Sequence, residues 1–246
     1  MSVIGNAILL SGGGGGGLSV NKPLIHVTAT KGATVNFSTG GVLVKSIGPN
    51  DAFNNNKGGV AEYYYPASTG TWTVAATNGT ASTSTTLTVT ENKEYDLELI
   101  YGYWLHRAGV GLLNSASASW SSGSSGNVAD ADEISTTQTG AFVCLCLSPS
   151  VSLAGYSACY FEYVKELEGN MASSYSEAKT GRFGFGTNTT TGSYNSDQKL
   201  ITTIRPNPTS TWTATSISLD GVSSTAYFKF CNWNNGKMGV RNLYFL

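Results

Sequence analysis

The chain has 246 residues, a net charge of -1 and 12% charged residues. The charged fraction is about half the roughly 25% of ordinary soluble domains, and a neutral chain lacks the basic surface that phosphate backbones demand, which excludes a nucleic-acid binder. A hydrophobic fraction of 40% excludes a disordered chain. β-Branched and aromatic residues separated by Gly, Asn, Ser and Pro describe short strands joined by turns, so the expected class is all-β.

Residues 1–22 read as a leader. Met1 to Leu10 is short and mostly apolar, and Gly12 to Gly17 is an unbroken glycine run. Ile8-Leu9-Leu10 is too short for a secretory signal and lacks a cationic start. No apolar run approaches the roughly 18 residues of a membrane helix. The expectation is a protein made in the cytoplasm without a signal peptide and without membrane insertion, which reaches the outside, if it does, by another route such as lysis. A free glycine run is a tether. Ordering it costs much backbone entropy, so a held run implies a clamping partner or symmetry mates. On that reading Ile4, Gly5, Asn6, Gly12, Gly13, Gly14, Gly15, Gly16 and Gly17 form the attachment segment.

Residues 23–101 are predicted to form one small sandwich, with strands at 25–30, 33–38, 42–47, 60–65, 71–77, 82–90 and 93–101. Asn78-Gly79 is the strongest two-residue hairpin signal. Trp72, Val74 and Ala76 form a bulky face against Thr71, Thr73 and Ala75, as a half-buried strand requires. Turn signals every 8–12 residues or so favour an immunoglobulin-like sandwich.

Residues 102–246 are predicted to form a second, jelly-roll-like sandwich, with strands at 133–137, 141–147, 158–165, 181–186, 199–205, 211–219, 225–231 and 238–246. The segment 141–147 is apolar on both faces and should have neighbours on both sides. Residues 115–126 read as a Ser/Gly-rich loop around Trp120, and Asn235-Gly236 as the turn of a terminal hairpin. No convincing helix is predicted.

The segments Ile25–Phe37, Gly70-Thr-Trp-Thr-Val-Ala-Ala-Thr77 and Thr86–Leu99, the last closing on Tyr95-Asp-Leu-Glu-Leu99, resemble the Ig-like modules of structural proteins from phages and prophages of Gram-positive gut bacteria. Thr30-Lys31-Gly32 replaces the proline expected in the first turn. Leu153-Ala-Gly-Tyr-Ser157, Ser218-Leu-Asp-Gly-Val222 and the closing aromatic strand are similar, more loosely, to C-terminal sandwiches of the same proteins, and Ile4-Gly-Asn6 to their leaders. The resemblance implies a virion component such as a tail fibre, baseplate appendage or head fibre. Its implied partners are other virion proteins, met through the leader, and a host-surface glycan; its implied state is a homo-oligomer, with a trimer favoured. It carries no catalytic residues over. The alternative is a free-standing carbohydrate-binding module or adhesin.

Residues for chemistry are scarce. The only two histidines are His26 and His106, and no Gly-x-Ser-x-Gly elbow stands before a helix. Neither an enzyme nor a cofactor is expected. Asp130, Asp132 and Glu133 are the densest acidic cluster, either calcium ligands or a solvated turn. Asn232, Trp233 and Asn234 combine an aromatic face with amides and are candidate glycan contacts, as are Trp120 and Tyr194, unless these rings pack at an interface. Cys144, Cys146, Cys159 and Cys231 lack zinc-site spacing and read as buried free thiols.

Overall fold

The computed structural model describes residues 7–9, 22–57, 59–79, 81–121, 126–137, 143–166, 181–189, 191, 200–232 and 236–246. The chain divides into two compact units, Met1–Tyr103 and Trp104–Leu246. Among the described residues both are built of strands, with one 3-10 turn at Pro49–Asp51, so the all-β class holds.

The first unit contains β1 (Ala7–Leu9), β2 (Leu24–Thr30), β3 (Thr34–Thr39), β4 (Val42–Ile47), β5 (Asn54–Lys57), β6 (Val60–Pro66), β7 (Gly70–Thr77), β8 (Ser82–Val89) and β9 (Glu94–Leu99). One sheet runs β1-β9-β2-β6-β5 and the other β4-β3-β7-β8. Alternation decides what each presents inward. Ile25, Val27 and Leu97 of the first sheet and Val35, Phe37, Trp72 and Val74 of the second are fully or almost fully buried. Phe37 and Tyr65 stack at 4.7 Å between centroids across the two sheets. Each such aliphatic or aromatic side chain contributes about 1.5–3 kcal/mol on burial.

The first unit is a sandwich, but its strand order is not the immunoglobulin one. Lettered A to G, the seven main strands β2, β3, β4, β6, β7, β8 and β9 give sheets D-A-G and C-B-E-F, whereas immunoglobulin domains divide as ABED and CFG. The cause is that the first and last of these strands lie side by side and parallel, Leu24 opposite Glu94 through Ala29 opposite Leu99. Turn spacing says nothing about such long-range pairing. Within the leader, Ala7–Leu9 adds an antiparallel edge strand opposite Leu97–Leu99. The Asn78-Gly79 hairpin is present, but pairing ends at Thr77 and Ser82, so its loop has four residues rather than two. Asn78 Oδ1 accepts the Ala81 N–H at 2.8 Å and makes the longer loop close.

The second unit contains β10 (Tyr103–Arg107), β11 (Gly111–Leu112), β12 (Ser117–Trp120), β13 (Asn127–Ala129), β14 (Ile134–Thr136), β15 (Val143–Ser148), β16 (Val151–Ser152), β17 (Ala158–Lys165), β18 (Phe183–Gly186), β19 (Leu200–Ile204), β20 (Thr209–Ser218), β21 (Thr225–Asn232) and β22 (Met238–Phe245). Its eight main strands in chain order are β10, β15, β17, β18, β19, β20, β21 and β22. They divide as β10-β22-β17-β20 and β15-β21-β18-β19, which is first-eighth-third-sixth and second-seventh-fourth-fifth. That is the jelly-roll order of two interlocked Greek keys. Aromatic rings fill the space between the sheets: Phe161, Phe183 and Phe228 meet at 5.3–5.4 Å between centroids.

Three expectations are corrected here. β21 and β22 do not form a terminal hairpin: they belong to opposite sheets, as the seventh and eighth strands of a jelly roll must. Ser117–Trp120 is a strand paired to β15, not a loop. Cys144 and Cys231 are joined by a disulfide, since pairing of β15 with β21 sets them directly opposite each other. Cys146 and Cys159 remain free and buried, as expected of all four. Strand β15 is buried from Val143 through Leu147 and has neighbours on both sides, as its apolar run requires.

Candidate functional site

Of the expected glycan contacts, Trp233, Asn234 and Tyr194 lie outside the described residues, as do Ile4, Gly5, Asn6 and Gly12–Gly17 of the leader. Asn232 is buried, and its Nδ2 donates to Gly236 O at 2.9 Å. Trp120 is half-buried and meets Phe230 edge to face at 6.0 Å.

The acidic cluster lies on a turn in which Asp130 and Glu133 bond within the protein while Asp132 is exposed. Asp130 Oδ1 accepts from Asp132 N at 2.8 Å and Glu133 N at 3.0 Å, and these two bonds hold its carboxyl below the usual range. Glu133 accepts the Ser135 hydroxyl at 2.6 Å on one oxygen and Lys237 Nζ at 2.6 Å on the other. The turn thereby joins β13 to β14 and pins both to the start of β22.

Beside it lies an assembly that sequence reading missed, on the outward face of β20, β17 and β22. Trp212 on β20 lies under two cations, Arg241 at 4.7 Å and Lys237 at 5.3 Å from its ring centroid. Arg241 Nε donates to Glu162 Oε2 at 2.7 Å, and Asn242 Nδ2 donates to the same oxygen at 3.1 Å. A β-bulge makes this possible: Glu162 pairs with Arg241 and Tyr160 with Tyr244, so one extra residue is absorbed on β22. Asn242, at a φ of 51°, lies within that interval. Arg241 and Tyr244 therefore share a face despite being three apart. Tyr244 stacks on Tyr160 at 5.4 Å and on Trp104 at 4.3 Å. Ser216, opposite Tyr160, shares this face and is exposed, whereas Thr213, opposite Tyr163, and Thr211 alternate to the other face of β20. The arrangement offers a fixed aromatic and ionic surface in which Trp212, Tyr160 and Arg241 are partly exposed and Tyr244 and Trp104 are buried. The sequence signal was available only as the isolated pairs Trp212 and Arg241, 29 residues apart in number and adjacent only through β17.

His106 supports this surface from beneath. It is fully buried, accepts the Asn242 N–H on Nδ1 at 3.3 Å and reaches Asp130 O with Nε2 at 3.1 Å. One partner is a donor and the other an acceptor, which selects the neutral tautomer protonated on Nε2. Burial, the largest influence, pushes its pKa down.

A second convergence lies in the first unit. Among the described residues, His26, Glu94 and Asp96 bring one nitrogen and two carboxylate oxygens within 4.8 Å of one another. Strand β2 supplies the histidine and β9 both acids, all on the outward face. Alternation correctly put His26 opposite the core-facing Ile25 and Val27, but the parallel partner that brings the acids could not be foreseen.

No family model, curated protein or solved structure matches the chain.

Proposed function

We propose that the chain is a phage virion appendage protein, docked by its N-terminal leader, whose sandwiches face outward and contact the host surface. In this reading it performs no chemistry of its own, and the jelly-roll unit is the contact module. The observation that carries it is the Trp212 surface. Two ion pairs hold Arg241 and Lys237 in place, so the aromatic and polar groups are ordered before any ligand arrives. A preorganised aromatic face beside ion-paired polar side chains suits sugars, which offer C–H faces and hydroxyl edges together. The Cys144–Cys231 disulfide supports a working life outside the reducing cytoplasm. The phage assignment itself rests on the resemblance of the first unit and leader.

The test is to purify particles released from the producing strain and quantify this chain in them. A fixed copy number per particle, lost when residues 1–17 are deleted, is the expected result. Recovery only as free protein overturns the virion reading in favour of a free-standing adhesin. In the same particles Trp212→Ala should weaken adsorption to host cell walls about tenfold, the loss of one interface anchor. Unchanged adsorption removes Trp212 from the contact surface.

A further inference from the structure

We propose that His26, Glu94 and Asp96 form a binding site for a divalent first-row transition cation of the zinc or manganese type, on the outer face of the first unit's five-stranded sheet. The site is built by register. β2 and β9 run parallel, with His26 opposite Asp96 and Leu24 opposite Glu94. Two-residue alternation then sends Glu94, Asp96 and His26 to one side. His26 Nδ1 lies 3.4 Å from Glu94 Oε1 and 2.7 Å from Asp96 Oδ1. Ligands bound at about 2.1 Å around a tetrahedral ion stand about 3.4 Å from one another. Glu94 already has that spacing from the ring. Asp96 reaches it by moving outward by about 0.7 Å, the difference between about 3.4 Å and the observed 2.7 Å, and its half-exposed side chain has room to do so.

His26 Nε2 is buried and has no hydrogen-bond partner. It faces Glu62 Oε1 on β6 at 3.8 Å, and Glu62 is itself buried. A cation on Nδ1 obliges the ring proton to sit on Nε2, and Glu62, beyond hydrogen-bond reach at 3.8 Å, is the carboxylate that would close on it. That is the carboxylate–histidine–metal relation by which proteins orient a ligating imidazole. Tyr64 stacks flat on the ring at 4.3 Å with 2° between planes, and Phe53 meets Tyr64 edge-on at 5.1 Å. The ligand ring is therefore fixed in plane before a cation arrives.

Charge points the same way. Three carboxylates, Glu62, Glu94 and Asp96, surround one imidazole. An imidazole among carboxylates suits zinc, manganese or ferrous iron, whereas calcium and magnesium take oxygen ligands only. The solvent-exposed sides of Glu94 and Asp96 leave coordination positions for water. Bound there, the ion ties β2, the unit's first long strand, to β9, its last.

The test uses the full chain, without a histidine tag, stripped with chelator and titrated calorimetrically with zinc chloride. One equivalent per chain is expected. His26→Gln and Asp96→Asn should each weaken binding at least tenfold, and Glu62→Gln, which touches no metal, by about tenfold as orienting partners do. Asp130→Asn, in the acidic turn of the second unit, should bind like the wild type. Circular dichroism establishes that each variant is folded; if His26→Gln is not, Asp96→Asn decides. Cobalt in place of zinc should give visible absorption that Asp96→Asn alters. No stoichiometric binding, binding indifferent to both ligand substitutions, or tight binding of calcium with none of zinc overturns the proposal.

Discussion

His106 has each ring nitrogen assigned by a neighbour, and that gives its protonation a mechanical consequence. A second proton on Nδ1 would point at the Asn242 N–H, which already donates to that atom at 3.3 Å. Burial lowers the folded-state pKa below the 6.5 of an unfolded histidine. Between the two values the unfolded chain binds the extra proton and the folded chain does not, so stability rises with pH across that interval. His106 therefore costs nothing above about pH 6.5 and destabilises progressively as pH falls from there towards the folded-state pKa, by up to about 1.4 kcal/mol per pH unit. His106→Gln keeps an amide that can donate and accept but cannot titrate. Urea unfolding at a series of pH values should give a shallower acid-side slope for the variant; parallel slopes would mean that His106 is protonated in the folded state. The bulge at Asn242 makes the same residue structural twice over, since Asn242 Oδ1 also accepts the Ala108 N–H at 2.9 Å.

At the scale of elements, β18 shows what a glycine between two strands does. A Cβ on Gly184 would stand 2.5 Å from Thr202 O and 2.7 Å from Thr203 Cγ2, atoms of the adjoining strand β19. Gly184→Ala must push that backbone away and should cost about 2 kcal/mol, within the range for overpacked interiors. Gly48, with open space around it and a φ of -76°, is the control: Gly48→Ala should be neutral or stabilise by up to about 1 kcal/mol. Equal effects of the two, read from thermal melts, would show that the approach at β18 is looser than described. Strand positions are readable in the sequence wherever alternation or an apolar run is strong. Val42–Ile47 and Ala158–Lys165 come out with those bounds. Ser117–Trp120 and Asn54–Lys57 were missed because Ser and Asn signal turns locally, while pairing with β15 and β6 overrides that preference. The sites were harder still. His26 with Asp96, and Trp212 with Arg241, are brought together by sheet neighbours remote in sequence, and nothing in their local context announces it. The disulfide was invisible for the same reason, its cysteines being 87 residues apart.

At the scale of the whole molecule, each unit has its own sandwich core, so each should unfold as its own cooperative transition. The two units also carry different staples, which makes the transitions separable by experiment. Cys144–Cys231 lies wholly within the second unit and closes a separation of 87 residues. Chain-entropy reasoning gives such a crosslink at most about 4.5 kcal/mol, by restricting the unfolded chain. The free thiols Cys146 and Cys159 are buried and their pKa values pushed up, so they stay protonated and do not exchange readily with the bond in the native state. Scanning calorimetry of the full chain should therefore show two transitions, and a phosphine reductant, or the Cys144→Ser, Cys231→Ser double variant, should lower only one. The peptide map of unreduced protein should contain the Cys144–Cys231 pair, with Cys146 and Cys159 alkylated only after unfolding. Zinc, acting through His26, should raise the transition that the reductant leaves alone, because a ligand stabilises only the unit whose native state binds it. If reductant and zinc move the same transition, or if one transition accounts for the whole heat, the units unfold as a single body, and the crosslink in one stabilises the strands of the other.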